Sequence, residues 1–156
     1  MAERDTAGVI MPPPIAWLLA VVAGVELDRI FPQAFHGLAL APRLVIGGAV
    51  LAAGVALNVW SVRTMLRHGT RFETSRPSTA IVAQGPYRFS RNPIYTGMLL
   101  GLVGLAVLLD TAWLLAVLVP FYLVIRYGVV AREEAYLERK FGADYLAYKG
   151  AVRRWI

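Results

Sequence analysis

The sequence predicts an all-α, polytopic membrane protein with about four transmembrane helices, a cytoplasmic loop and an interfacial C-terminal helix. Of its 156 residues, 58% are hydrophobic and only 17% are charged, and the mean hydropathy is +0.57. An ordinary soluble domain is about half apolar and about a quarter charged. The apolar residues form blocks near the length of a membrane span, without strand-like alternation. This length favours one membrane-embedded domain over residues 1–156.

The basic charge indicates membrane topology rather than nucleic-acid binding. The formal net charge is +6, and the arginines cluster beside apolar blocks, where they mark the cytoplasmic side and contact anionic lipid. The absence of cysteine excludes disulfides and cysteine nucleophiles. His36 is placed in a loop and His68 at a helix exit, far from the spacing of metal ligands. We therefore expect membrane lipids as partners, and neither a nucleic acid nor a metal.

The first membrane-span candidate is Ile15–Ile30, which follows a run of prolines. Residues 1–11 before it are predicted to form a short, loosely held tail. The block turns polar at its end, where Glu26 and Arg29 are three residues apart and can pair on one helix face.

The second candidate, Leu44–Val62, follows a predicted loop over Phe31–Pro42 and is long enough to cross a bilayer. It carries small residues that permit close helix approach in lipid, including Gly47, Gly48 and Gly54. Asn58 is a polar residue at membrane depth, and we expect it to bond to a neighbouring helix.

The connection Arg63–Ser90 is rich in arginine, and Glu73 is its one acidic residue. The positive-inside rule therefore places this loop in the cytoplasm. The short apolar run Thr79–Val82 indicates that part of the loop packs against the rest of the protein.

Two shorter apolar blocks, Ile94–Leu109 and Ala112–Ile125, are joined by a link that fits a tight helical hairpin. They can cross a bilayer if their helices extend into the flanking residues. Pro120 is expected to kink the second helix or loosen its hydrogen bonds. The first block presents another close-packing face formed by Gly97, Gly101 and Gly104.

The C-terminal part is basic and amphipathic. Glu133, Leu137 and Phe141 recur at four-residue spacing, which predicts one face of a helix that ends near Gly142. Later tyrosines suit a tail lying at the membrane interface. Four crossings would place both termini and the long loop on the cytoplasmic side.

The stretch from Gln84 to Gly97 is a polar entrance to the third apolar block. Asn92 and Pro93 form a helix-start signal, because Asn can cap free N–H groups and Pro suits the first helical position. A helix N-terminus beside Arg91 attracts anionic groups such as ligand carboxylates. The alternative is a membrane-interface anchor, since Tyr and Arg also collect there.

Two blocks resemble the isoprenylcysteine carboxyl methyltransferases and the related phospholipid methyltransferases. The family's Gly-x-Tyr…Arg-His-Pro-x-Tyr block is similar to Gly85-Pro86-Tyr87 followed by Arg91-Asn92-Pro93-Ile94-Tyr95. Its Glu-Glu-x-x-Leu…Phe-Gly-x-x-Tyr-x-x-Tyr ending is similar to Glu133-Glu134-Ala135-Tyr136-Leu137 followed by Phe141-Gly142, Tyr145 and Tyr148. The resemblance covers residues 79–148, and the order of the two blocks makes it fairly specific.

The resemblance implies an integral membrane methyltransferase that uses S-adenosyl-L-methionine and acts on a lipophilic acceptor. It assigns catalytic roles to Arg91 and Glu133. One departure is Asn92, which stands where the family usually has His and cannot carry a proton. The implied cofactor contacts are Thr79, Ala80, Ile81, Val82, Tyr87, Asn92, Pro93, Ile94, Tyr95 and Glu133.

Several alternatives stay open from the sequence. The acceptor can be a prenylcysteine-like carboxylate, a phospholipid amine or another small lipophile. The ending from Phe141 to Tyr148 also resembles that of sterol reductases, which indicates an NADPH-dependent membrane reductase as a second hypothesis. A third is a non-catalytic membrane protein whose arginines hold anionic lipid. For Glu133 itself, the alternative to a cofactor contact is an ion pair with Arg132, Arg126 or Arg88. The compact chain favours a bacterial cytoplasmic membrane.

Overall fold

The computed structural model describes residues 6–34, 39–70, 73 and 76–156. Every regular element in these ranges is helical. His36, predicted to be a loop residue, lies outside the described residues, as does part of the Phe31–Pro42 loop. His68 follows directly after a helix, as predicted.

The described part of the chain forms six α-helices joined by short links and one longer loop. Where the long loop is described, it contains one 3₁₀ turn, Gly85–Arg88. A π-helical segment, Val124–Val130, joins α4 to α5 without a break in the helix. The α-helices are α1 (Pro13–Ile30), α2 (Leu40–Arg67), α3 (Pro93–Leu109), α4 (Trp113–Leu123), α5 (Ala131–Phe141) and α6 (Ala143–Ala151).

Among the described residues, two helices are long and apolar enough to cross a membrane: Leu40–Arg67 and the continuous Trp113–Phe141. In the most apolar stretch of α2, 18 residues long, only 11% of the residues are buried within the protein. Most of its side chains therefore face outward, as lipid contact requires. α3 is apolar but has 17 residues, and the 18 residues of α1 include three charged ones. Length and composition therefore support two of the four predicted crossings, and the other two stay predictions.

Glycines set the close approach of α2 and α3, as the small-residue pattern predicted. A Cβ on Gly54 would lie 2.7 Å from the Gly97 carbonyl oxygen, and one on Gly47 would lie 2.7 Å from the Leu108 nitrogen. Gly48 instead points into open space. The expected bond from Asn58 to a neighbouring helix was wrong, because its buried Oδ1 packs against Gly97 without a hydrogen-bond partner among the described residues.

Ion pairs stabilise the end of the bundle opposite the long loop. Arg43 on α2 binds Asp110, in the link after α3, at 2.7 Å, and it also donates to the Leu108 carbonyl. Glu26 and Arg29 pair at 2.8 Å, which confirms that prediction.

Where the structure describes it, the N-terminal tail is not loosely held, contrary to the sequence prediction. Residues 1–5 lie outside the described part of the chain, but the Ile10 N–H donates to the Gly128 carbonyl at 3.1 Å. Arg132 donates to the Gly8 carbonyl at 2.9 Å. The tail is therefore held against the π-helical segment, which lies just beyond Pro120, where loosened hydrogen bonding was predicted.

α5 ends at Phe141, and Gly142 follows with a φ of 53°. This left-handed conformation favours glycine and confirms the predicted helix end. α6 then folds back toward the long loop, so that Tyr148 donates a hydrogen bond to the main-chain carbonyl of Tyr87 at 2.8 Å.

Candidate active site

A cleft opens where the long loop, the start of α3 and the face of α5 meet. Its cavity volume is about 130 Å³, and the empty space in and around it, open solvent at the mouth included, is about 930 Å³. Both motif blocks contribute to the wall. The lining residues are Ala7, Met65, Glu73, Arg76, Ser78, Ala80, Ile81, Val82, Tyr87, Arg91, Asn92, Pro93, Ile94, Tyr95, Glu133, Glu134, Tyr136, Leu137, Tyr145 and Tyr148.

A direct hydrogen bond joins the two blocks across the cleft. The Tyr95 hydroxyl, on the first turn of α3, donates to Glu133 Oε1, on the first turn of α5, at 2.8 Å. Glu133 forms no salt bridge with any described residue. The expected alternative, in which Arg132, Arg126 or Arg88 neutralises it, is therefore wrong for this structure. The carboxylate faces the cleft with one oxygen engaged by a neutral phenol.

The adjacent Glu134 has the opposite environment. Its carboxylate accepts a two-pronged contact from Arg154, with Nε–Oε1 at 2.9 Å and Nη2–Oε2 at 2.7 Å. Arg91 Nη1 lies 3.0 Å from Oε1 of the same carboxylate, and the side chains of Arg91 and Glu134 are each only 9% exposed. Successive helical residues point about 100° apart, so one glutamate meets cations while its neighbour meets the cleft.

Asn92 does not cap α3 through its side chain, so that prediction was wrong. Its Nδ2 instead donates to the Arg154 carbonyl at 2.9 Å. The amide turns away from the free N–H groups of α3 because the C-terminal residues lie against it. The helix nevertheless begins at Pro93, as predicted.

Tyr87 is 8% exposed and lines the cleft, and its hydroxyl has no hydrogen-bond partner among the described residues. Burial, together with nearby Tyr148 and Glu133, raises the pKa of this phenol well above its ordinary value. The group therefore stays protonated at neutral pH and is available as a donor inside the cleft.

Nine of the ten predicted cofactor contacts lie around this cleft. Thr79 is the exception: it does not line the cleft, and its hydroxyl donates to the Gly69 carbonyl at 2.8 Å. The structure thus brings most of the predicted residues together. Their role toward a cofactor stays a prediction.

Sequence reasoning did not assign Glu134 or Arg154 to the site. Glu134 had a signal, since it belongs to the Glu-Glu pair of the second block. Arg154 had none, because it follows the last motif residue in a short basic tail.

Fold and cleft together define a helical membrane protein with a polar, partly buried cleft at one end of its apolar helices. A family model described as phospholipid methyltransferase matches residues 42–144, more than half of the chain. The chain belongs to this family and is a membrane methyltransferase.

Two curated relatives are similar over shorter segments. An uncharacterized protein of Haemophilus influenzae is 53% identical over 45 residues, which cover 29% of this chain and 68% of that protein. The nickel-cobalt-cadmium resistance protein NccN of Alcaligenes xylosoxydans xylosoxydans is 32% identical over 68 residues, which cover 44% of this chain and 32% of that protein. No solved structure matches the chain significantly.

Proposed function

We propose that the protein transfers a methyl group from S-adenosyl-L-methionine to a lipophilic acceptor at the boundary between membrane and cytoplasm. The observation that carries this proposal is the pairing of unsatisfied polar groups in one cleft. Arg91 and Tyr87 offer buried donors there, while Glu133 offers an anion. A ligand with a carboxylate, an ammonium group and aromatic surface satisfies these groups together.

Arg91 suits the carboxylate of the cofactor's amino-acid part. Its Nε and Nη1 are buried and lack hydrogen-bond partners in the described part of the chain. Nη1 lies 3.0 Å from Glu134 Oε1 and forms an ion pair with it, but the two groups are not aligned for a hydrogen bond. An unsatisfied buried donor is costly, and a charge-assisted bond to a ligand would remove that cost.

Glu133 suits the ammonium group. A half-buried carboxylate without a cationic partner is unfavourable at membrane depth. Tyr95 occupies Oε1 and fixes the orientation of the carboxylate, which leaves Oε2 for a ligand cation. The rings of Tyr87 and Tyr95 line the same wall and can contact a cation or stack on a base.

Methyl transfer requires positioning and exclusion of water more than acid–base chemistry. When bound, the cofactor would supply a methyl group activated by its sulfonium and would leave as S-adenosylhomocysteine. A carboxylate acceptor can take the methyl group directly, whereas an amine acceptor must first give up a proton. The chain supplies an enclosed wall: Val82 is 7% exposed and Tyr95 is 7% exposed. The cavity volume of about 130 Å³ is below the roughly 300–1,000 Å³ of typical ligand pockets, so we expect the ligand to extend into the wider opening of the cleft.

The proposed acceptor is a lipid with a nucleophilic headgroup, either a phospholipid amine or a prenylcysteine-like carboxylate. We expect such an acceptor to reach the cleft from the bilayer. The arginine-rich loop favours a cytoplasmic orientation for the cleft and both termini, in a bacterial inner membrane. The family match favours methyl transfer over the NADPH-dependent reductase and the non-catalytic lipid-binding protein.

Isothermal titration of detergent-purified protein tests the cofactor. We expect binding of S-adenosylmethionine and none of NADPH. Glu133→Gln should weaken binding roughly tenfold or more, because it removes a charge-assisted contact. Glu26→Gln, a matched loss of charge at the opposite end of the bundle, should bind normally. Tight NADPH binding, or a full-affinity Glu133→Gln protein, would reject the proposal.

Incubation with methyl-labelled S-adenosylmethionine and a membrane lipid extract tests the acceptor. We expect label in a lipid fraction, with the headgroup identified by mass spectrometry. Label in water-soluble products alone would exclude a lipophilic acceptor.

A further inference from the structure

The last residues of the chain fold back onto the segment that opens α3. The main-chain N–H of Arg91 donates to the Arg153 carbonyl at 2.9 Å, and Asn92 Nδ2 donates to the Arg154 carbonyl at 2.9 Å. Trp155 packs against the apolar core. This places the Arg154 guanidinium beside Glu134, at the back of the cleft.

Arg91, Glu134 and Arg154 form a cluster with one more positive than negative charge. Glu134 carries one negative charge, while Arg91 and Arg154 carry one positive charge each. Arg154 provides the better contact, since it binds both carboxylate oxygens in the two-pronged geometry that arginine and carboxylate favour. Arg91 Nη1 lies 3.0 Å from one oxygen, and neither its Nε nor its Nη1 has a hydrogen-bond partner among the described residues. Because Arg154 neutralises Glu134, Arg91 retains charge and donors for another anion.

We infer that Arg154 is a positioning residue that frees Arg91 to bind the carboxylate of the methyl donor. It does not touch the ligand. It acts by occupying both oxygens of Glu134, so that Arg91 keeps only a one-oxygen ion pair with that carboxylate. Without Arg154, Glu134 would draw Arg91 into a two-oxygen pair with no net charge. This inference rests on the proposed function, and it assigns a role to a residue beyond the segment 42–144 that the family model matches.

If Arg154 has this role, its loss should weaken only those ligands that carry the carboxylate bound by Arg91. S-adenosylhomocysteine carries the amino-acid carboxylate and ammonium, whereas 5′-methylthioadenosine has the same nucleoside but lacks the whole amino-acid part. Arg154→Gln should therefore weaken S-adenosylhomocysteine roughly tenfold or more and leave 5′-methylthioadenosine nearly unchanged. A merely structural role would weaken both ligands together.

Removing the competing carboxylate should reverse the defect. In the double variant Arg154→Gln/Glu134→Gln, Arg91 no longer has the Glu134 carboxylate to pair with, so S-adenosylhomocysteine affinity should recover relative to Arg154→Gln alone. Arg154→Lys keeps the charge but loses the two-pronged contact, and it should fall between the wild type and Arg154→Gln. Arg139→Gln, on the exposed side of α5, is the charge-matched control and should resemble the wild type.

Titration calorimetry of the five proteins with both ligands tests this, with the ratio of the two dissociation constants as the readout. An unchanged ratio in Arg154→Gln, or a double variant no better than the single one, would overturn the inference. If the wild type binds neither ligand, the proposed function itself fails. If the wild type binds both and the ratio does not move, the role of Arg154 alone is rejected.

Discussion

The glycine contact between α2 and α3 gives a quantitative test of how the site is positioned. A Cβ on Gly104 would lie 2.6 Å from the Leu51 main-chain nitrogen and 2.8 Å from its Cα. Main-chain atoms cannot rotate away, so Gly104→Ala forces the two helices apart. Gly48→Ala is the matched control, because a Cβ at Gly48 meets nothing within 4 Å.

The expected magnitude follows from two opposing effects. Both substitutions gain about 1 kcal/mol of helix propensity. Overpacking at Gly104 costs about 1–3 kcal/mol in addition. The free energy of unfolding of Gly104→Ala should therefore lie about 1–3 kcal/mol below that of Gly48→Ala. For a chain of this size, the difference in Tm should be roughly 2–12 °C.

Thermal unfolding in a single detergent, followed by circular dichroism, measures this difference. Met65 on α2 and Pro93 on α3 both line the cleft, so separating the helices should also weaken S-adenosylhomocysteine binding in Gly104→Ala. A Tm for Gly104→Ala equal to or above that of Gly48→Ala would refute the assignment of this interface as close-packed.

Three further predictions concern single side chains. Tyr87→Phe should leave Tm unchanged or slightly raised, because it removes an unsatisfied buried hydroxyl, yet weaken S-adenosylhomocysteine in calorimetry; a loss of stability would contradict this. Arg43→Gln should lower the free energy of unfolding by about 1–3 kcal/mol, because it removes the ion pair to the half-buried Asp110. Arg29→Gln breaks an exposed pair and should cost under about 1 kcal/mol, and equal effects of the two variants in thermal unfolding would contradict this. Burial raises the pKa of Tyr148, so above about pH 10 the unfolded state holds fewer protons than the folded state and the free energy of unfolding falls as pH rises. If Tyr148→Phe leaves this dependence of stability on alkaline pH unaltered, the prediction is contradicted.

Much of the helical fold could be predicted because its signals are local. Pro93 and Gly142 mark helix ends through backbone constraints that do not depend on distant contacts. The continuation of α4 into α5 was not predicted to its full length, because polarity ends the apolar block near Arg126 while the helix runs on to Phe141. Helical hydrogen bonding persists whether side chains face lipid or water.

The site could be predicted in part because its motif residues carry chemistry. Glu133 and Tyr95 were placed in one site by two ordered blocks, and the structure joins them by a hydrogen bond. The motif did not reveal which glutamate of the pair would meet the cations. That choice depends on the rotation of α5 after the π-helical segment, which no residue type specifies.

The contribution of both chain ends lay beyond sequence reasoning for a different reason. The contacts from Ile10 to Gly128 and from Arg91 to Arg153 join main-chain groups. Any residue except proline can donate such a bond, so no pattern of side chains announces it. The ends are nevertheless positioned to matter, since Ala7 reaches the cleft and Arg154 neutralises Glu134 behind it. A motif therefore identifies the residues that face the ligand, while the segments that set their charge and orientation become visible only in the folded chain.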